Sequence, residues 1–188
     1  MQLCYGFDSL PEIVRPVVTI GSFDGVHLGH KALLGEVIEV ARRVGGKSVV
    51  VTFSPHPREV IPGRGDDFRL LTPTKRKAEL LEELGIDYLV VVEFTMDFAA
   101  LTSEEFVRDY LTLKLGMHTL VVGYNHRFGH DKDVPADHFE RLGERYGFDV
   151  VRASAFTFEG GKVSSSVIRN LIAEGRVQEA EKLLGHIL

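Results

Sequence analysis

The sequence predicts an α/β fold: a Rossmann-like open parallel sheet of about five strands flanked by helices, in a single domain. Three observations carry that prediction. Short β-branched runs alternate along the chain with longer segments of helical period, as in repeated βαβ units. The runs are apolar at consecutive positions, as strands covered on both faces require. Glycine or proline falls at most segment boundaries, where helices stop and strands give way to loops.

The elements follow in order. Residues 1–16 read as an irregular lead-in with room for a short edge strand. Val17 to Ile20 is the first buried strand, and Gly21 to His27 the turn after it. The next helix carries Leu33, Leu34, Val37, Ile38, Ala41 and Val44 on one stripe and stops at Gly45-Gly46. Ser48 to Phe53 is the second strand, halted by Pro55 and Pro57. Glu59 to Phe68 reads as a loop. Thr72-Pro73 reads as a cap followed by proline at the first helical position, with Gly85 ending the helix. Tyr88 to Phe94 is a third strand. Thr102-Ser103-Glu104-Glu105 has the form of a capping box for a helix running to about Leu115. His118 to Gly123 is a fourth strand, Ala136 to Tyr146 a helix and Phe148 to Ala153 a fifth strand. A hairpin over Phe156 to Val163 turns at Gly160-Gly161. Helices within residues 165–188 close the domain.

Length and composition bound the function. The 188 residues suffice for one α/β domain with a real core. A formal charge of −5 argues against a general nucleic-acid or anionic-membrane binder, so neither partner is expected. The single cysteine, Cys4, permits no internal disulfide. Met1 to Gly6 lacks the basic-then-apolar pattern of a signal peptide. No apolar run approaches the ~20 residues that span a bilayer. The expected location is the cytoplasm.

Three stretches carry chemistry. In Gly21-Ser22-Phe23-Asp24-Gly25-Val26-His27-Leu28-Gly29-His30, two imidazoles sit where a helix begins. A helix start offers unpaired N–H groups and the positive end of the dipole, so it attracts phosphate. Gly29 leaves the backbone bare, and Gly21 and Gly25 can take positive φ. A lone histidine at a helix start is commonly a cap or a surface residue. The strand before, the helix after, and Ser22 and Asp24 between them favour an anion cradle. Metal ligation by His27 and His30 lacks a neighbouring acidic or cysteine cluster, leaving Asp24 and the distant His56 as further ligands. In Ser164-Ser165-Ser166-Val167-Ile168-Arg169, hydroxyls stand at another helix start with Arg169 one turn inside and Lys162 just before. A plain serine cap with a surface arginine is the competing reading. In Gly123-Tyr124-Asn125-His126-Arg127-Phe128-Gly129, Asn125 could bond a phosphate or base and Arg127 could neutralise a phosphate; a glycine-bounded turn with a solvated arginine fits equally well.

The ten-residue cradle resembles the signature of the nucleotidyltransferase superfamily and, in its full length, that of the FMN adenylyltransferase (FAD synthetase) module of prokaryotic bifunctional riboflavin kinase/FAD synthetases. The short His-x-Gly-His alone names only the superfamily. Phe53-Ser54-Pro55-His56-Pro57 is similar to the family's Phe-x-Pro-His-Pro stretch, which borders the flavin. Asn125 and Phe128 match its Gly-x-[Asn/Asp]-Phe-x-Phe-Gly, with His126 in place of an aromatic residue. The serine stretch resembles its Ser-Ser-Thr-x-x-Arg, with Ser166 for threonine. Lys162 stands where members often carry arginine. The resemblance runs from about Val17 to Leu184 and includes no riboflavin kinase domain.

The resemblance implies AMP transfer from ATP to FMN, giving FAD and pyrophosphate. It implies that His27, His30, Ser165 and Arg169 serve catalysis. Gly21, Ser22, Phe23, Asp24, Gly29, Asn125, Lys162, Ser164 and Ser166 would bind the nucleotide. Pro55, His56, Pro57, Asn125, Arg127 and Phe128 would line the flavin. Mg²⁺ would be held mainly by the ATP phosphates and waters, with no protein metal ligands. A riboflavin kinase, fused or separate, would be the working neighbour. The alternatives are a nucleotidyltransferase for another phosphate acceptor, such as phosphopantetheine or a phosphorylated alcohol, or an idle flavin- or nucleotide-binding module.

Overall fold

The computed structural model describes residues 1–63, 68–124, 128–131 and 134–187. Six strands form one parallel sheet: β1 Gln2–Tyr5, β2 Pro16–Ile20, β3 Lys47–Ser54, β4 Tyr88–Glu93, β5 Thr119–Val122 and β6 Asp149–Arg152, in the spatial order β1-β4-β3-β2-β5-β6. The five expected strands are all present. The lead-in supplies the sixth, with Gln2 to Tyr5 laid in register on Tyr88 to Val91. A two-stranded antiparallel ribbon, β7 Thr157–Phe158 and β8 Gly161–Lys162, makes the expected hairpin.

Helix α1 Leu28–Val44 is the first crossover and ends on Gly45, whose φ of 65° is the left-handed stop its sequence foretold. The remaining helices are α2 Pro57–Val60, α3 Thr74–Glu83, α4 Met96–Ala99, α5 Ser103–Phe106, α6 His138–Tyr146, α7 Ser165–Ala173 and α8 Val177–Leu184. Two expectations need correction here. Pro73, not Thr72, is the cap residue of α3, because the Thr72 hydroxyl is engaged elsewhere. Residues 57–60 are helical, because His56 and Glu59 form a capping box around Pro57. The Thr102–Glu105 capping box is present, but α5 passes after one turn into a π-helical turn, Val107–Thr112.

Alternate side chains of the central strands feed cores on opposite faces. Val18, Val49, Val51, Val90 and Leu120 pack with Phe106, Leu111 and Phe139. Val50, Leu89 and Val91 pack with Leu34, Leu80 and Leu81. Val17 and Val121 pack with Val37, Val40 and Ala41 of α1. A small separate core of Val163, Ile168, Ala180 and Leu184 joins α7 to α8. Among the described residues no helix is long and apolar enough to cross a membrane.

Candidate active site

From β2 the chain steps through β3 to β4 on one side of the sheet; β5 and β6 lie on the other. The order reverses between β2 and β5, and the crevice beyond their carboxyl ends is where open α/β sheets receive ligands. The loop after β2 holds the cradle, and the loop after β5 begins at Gly123.

His27 caps α1 with its own ring: Nδ1 accepts the His30 amide N–H at 3.2 Å. An accepting Nδ1 puts the ring proton on Nε2. Burial pushes the His27 pKa down to about 4, against the pull of its backbone hydrogen bond and of Asp24, so at neutral pH the ring is an uncharged donor. The His27 and His30 rings stack at 3.6 Å and 13°, with Phe23 edge-on to His30 at 5.1 Å. A Cβ on Gly29 would come within 3.3 Å of the His27 ring, so glycine there makes room for the imidazole. Gly25 takes positive φ at 88° as expected. Gly21 does not; Phe23 at 44° and Val26 at 37° do so instead. For a β-branched valine that conformation is unusual, and such strain gathers at functional loops.

Asp24 is the hub beneath the histidines. It is 1% exposed. Its carboxylate accepts the N–H groups of Leu71 and Thr72, both at 2.9 Å, the Thr72 hydroxyl at 3.3 Å, and the Arg169 guanidinium. The Thr72 hydroxyl also accepts the Gly25 N–H at 2.8 Å. Asp24 is therefore turned into the protein rather than presented to a ligand. Arg169 also donates to the Arg69 carbonyl at 2.8 Å and lies 4.5 Å over the Phe68 ring. The Ser165 hydroxyl donates to the Asp24 carbonyl at 2.8 Å, and the Val163 carbonyl would be 3.7 Å from a Cβ on Gly29. The hydroxyl segment, 141 residues after the cradle, thus lies against it. Ser164 caps α7 by accepting the Val167 N–H at 3.4 Å. Ser166 and Lys162 are exposed. His186 Nε2 lies 2.9 Å from the Gly25 carbonyl, so the end of the chain also meets the loop.

Beside the cradle lies an apolar cavity of about 750 Å³, walled by Phe53, Phe94, Phe98, Phe106 and Phe128 and reaching Ser22. That volume suits a drug-sized or cofactor-sized planar ligand. Pro57 and Phe128 line it. Pro55 is exposed, and His56 stacks on Phe68 at 4.4 Å instead. Burial pushes the His56 pKa down to about 4, Asp24 opposing and Arg169 assisting. Asn125 and Arg127, with His126 and Lys132, lie outside the described residues. The cavity wall at Phe128 to His130 is tied to α5. Ser103 donates its N–H to Asp131 at 2.6 Å and its hydroxyl at 2.7 Å, and His138 Nε2 stands 2.7 Å from that hydroxyl. With the serine between the other two and wholly buried, this trio anchors a loop and is no nucleophile triad.

Lys77 belongs to this neighbourhood too, although it sits in no motif. It shares the stripe of Leu80, Leu81 and Leu84 at helical spacing, and a lysine on an apolar stripe was the signal available for it. Phe68 and Thr72, which hold Arg169 and Asp24, had no such signal.

A model of the FAD synthetase family matches residues 11–167. The bifunctional riboflavin kinase/FMN adenylyltransferase of Escherichia coli (strain K12) is 36% identical over 188 residues, covering 99% of this chain and 60% of that protein. The chain therefore spans about 60% of the length of that relative. The FAD synthetase of Listeria monocytogenes is 36% identical over 170 residues, covering 90% of this chain and 68% of that protein. Among solved structures, a Streptococcus pneumoniae protein described as a macrolide-efflux protein superposes with a TM-score of 0.87 at 29% identity, covering 100% of this chain and 72% of that one. Pantothenate synthetase from Thermus thermophilus, at a TM-score of 0.54 and 18% identity, shares the fold alone, over 98% of this chain and 81% of its own.

Proposed function

Because the chain belongs to the FAD synthetase family, we propose that it is an FMN adenylyltransferase, moving AMP from ATP to the phosphate of FMN with release of pyrophosphate. The observation that best supports this reading is the junction at Asp24. There the Ser165 hydroxyl and the Arg169 guanidinium of α7 bond Asp24 in the loop that leads into α1, so the two helix starts lie together beside an aromatic cavity of about 750 Å³.

An FMN phosphate oxygen attacks the α-phosphorus in line, the P–O bond to the β-phosphate breaks, and pyrophosphate carries off the electron pair. No protein nucleophile is needed, so catalysis is positioning and charge stabilisation. His27 donates its Nε2–H, and His30 a ring N–H, to the α- and β-phosphate oxygens as charge accumulates. The N-terminus of α7, with Ser164, Ser165 and Ser166, receives the outer phosphates. The Arg169 guanidinium keeps N–H groups beyond those on Asp24 and Arg69 for the same anion. Lys162 stands at the rim. Asn125 orients the nucleotide, and Arg127 assists on the flavin side. The Phe53–Phe128 cavity takes the isoalloxazine ring, which favours a flavin over a flexible acceptor such as phosphopantetheine.

The described residues contain no group of three or more His, Cys, Asp or Glu side chains able to hold a metal. Asp24 is occupied by Arg169, Leu71 and Thr72. The described residues of this site do not fit a protein-built Mg²⁺ cage. Mg²⁺ is proposed as the counter-ion that ATP brings, and no step is routed through it. A riboflavin kinase, fused or separate, would supply FMN in the same cytoplasmic compartment.

The test is direct: incubate the protein with FMN, ATP and Mg²⁺ and separate the flavins by chromatography. A new FAD peak with matching pyrophosphate is expected. Binding of both substrates without either product would instead identify an idle binding module.

A further inference from the structure

Lys77 is 2% exposed, on the face of α3 that meets the loop after β2. Its ammonium donates to the Ser22 carbonyl at 2.6 Å and to the Thr52 hydroxyl at 3.2 Å. That hydroxyl donates in turn to the same Ser22 carbonyl at 3.1 Å. One backbone oxygen of the cradle thus collects two buried donors, one of them charged. An apolar residue on this stripe would pack against Leu80 and Leu81 without the desolvation a buried charge incurs. The lysine is best explained by what it holds.

We propose that Lys77 is a positioning residue for phosphoryl transfer: it fixes the Ser22–Phe23 peptide plane and places a buried positive charge under the cradle. In a trans peptide the C=O and N–H point in opposite directions. Drawing the Ser22 carbonyl down onto Lys77 and Thr52 therefore turns the Phe23 N–H away from the buried side. It also holds Phe23 at its left-handed φ of 44°, and Phe23 is the ring against which His30 rests edge-on. Lys77 thereby acts through the Ser22–Phe23 peptide and the His30 ring, touching neither substrate itself. This inference rests on the adenylyl-transfer reading above.

The ammonium is open to titration in the working range. Burial lowers its pKa to about 8, while Asp24 from the loop and Glu59 from α2 oppose that shift; His56 and Arg169 are the other ionisable groups gathered around Asp24. Below that value Lys77 is charged, and above it the charge under the cradle is lost. The kcat/KM profile reports groups of the free enzyme.

The experiment measures FAD formation, ATP binding by calorimetry and thermal melting for wild type, Lys77→Met and Lys77→Arg. Lys77→Met is expected to lose ~10²-fold in kcat, as misplacing a preorganised group by about 1 Å does, with ATP affinity changed only a few-fold. Lys77→Arg should recover part of the loss. Wild-type kcat/KM should fall on the alkaline side near pH 8, and the arginine variant should lack that limb. If Lys77→Met does not fold, the wild-type alkaline profile carries the test, and a flat profile from pH 7 to 9.5 overturns the proposal. Wild-type protein making FAD while both variants match its kcat would overturn this inference alone. Wild-type protein making no FAD would overturn both readings.

Discussion

The two ends of the β-sheet solve the same problem with different chemistry. At the amino end, Asp87 joins β3 to β4 by accepting the Ser48 N–H at 2.9 Å, the Ser48 hydroxyl at 2.8 Å and the Lys47 ammonium at 3.1 Å. The site is half open: the side chains of Lys47 and Asp87 are 50% and 34% exposed. At the carboxyl end, Asp24 also gathers backbone N–H groups, a hydroxyl and a cation, but it is 1% exposed and links the cradle, the Leu71-Thr72 segment and α7. Around it stand two histidines driven down to a pKa of about 4, a lysine at about 8, and a valine at positive φ. A carboxylate that only staples strands can stay wet. The one that organises the proposed site is buried, and burial amplifies every charge near it.

The comparison breaks first at Asp24. Asp24→Ala leaves the Arg169 guanidinium and two N–H groups without their acceptor in a dry place. Losing one partner of a buried pair costs about 3–5 kcal/mol. Urea denaturation of the variant should show a loss of that order; a change under about 1 kcal/mol would show that the carboxyl-end hub is no more than a second staple. Next comes His30→Ala, expected to reduce FAD turnover by ~10²-fold or more while leaving the melting temperature nearly unchanged. Near-wild-type FAD formation by that variant would remove the imidazoles from the mechanism.

How much of this was legible depended on whether the signal was local. The strands at 17–20, 48–53, 88–94, 118–123 and 148–153, the glycine stop at Gly45 and the hairpin at Gly160 are readable because periodicity and punctuation act over a few residues. His27 and His30 were legible because spacing and helix start coincide. The Asp24–Arg169 bond, spanning 145 positions, was not, since no local pattern says which carboxylate meets which guanidinium. Thr72 illustrates the same limit: its local context reads as a helix cap, but tertiary contacts with Gly25 and Asp24 claim its hydroxyl. Lys77 lies between these cases. Its place on an apolar stripe flags a buried charge, whereas its partners, Ser22 and Thr52, come only from the fold.

A smaller effect separates the two ends by pH. His27 and His56 have folded pKa values below the ordinary 6.5, so they disfavour protonation in the folded state. Their contribution is fully present above pH 6.5 and is lost as pH falls toward 4, because the unfolded chain takes up protons that the folded chain refuses. At about 1.4 kcal/mol per pKa unit, the drop from 6.5 to about 4 sets a ceiling of about 3–4 kcal/mol for each histidine across that window. Hydrogen exchange at pH 5 should therefore rise first in the cradle and α1, and later around Ser48 and Asp87. His27→Asn, which keeps a good helix cap, should flatten part of the acid loss while still lowering turnover.

The smallest expected effect is the most discriminating control. Asp87→Ala removes hydrogen bonds comparable in number to those at Asp24, but the Asp87 side chain is 34% exposed, so its truncation opens the buried Ser48 donors to water. Solvated donors forfeit only the net value of a hydrogen bond, about 1 kcal/mol in all. The Lys47 pair adds little, since exposed ion pairs contribute about 0–1 kcal/mol. Asp87 lies at the far end of the sheet from the crevice, so kcat and both KM values should match wild type. If Asp87→Ala proved as damaging as Asp24→Ala, burial would not be what sets the carboxyl end apart. The buried charges around the cradle would then be as much a requirement of the fold as of the reaction.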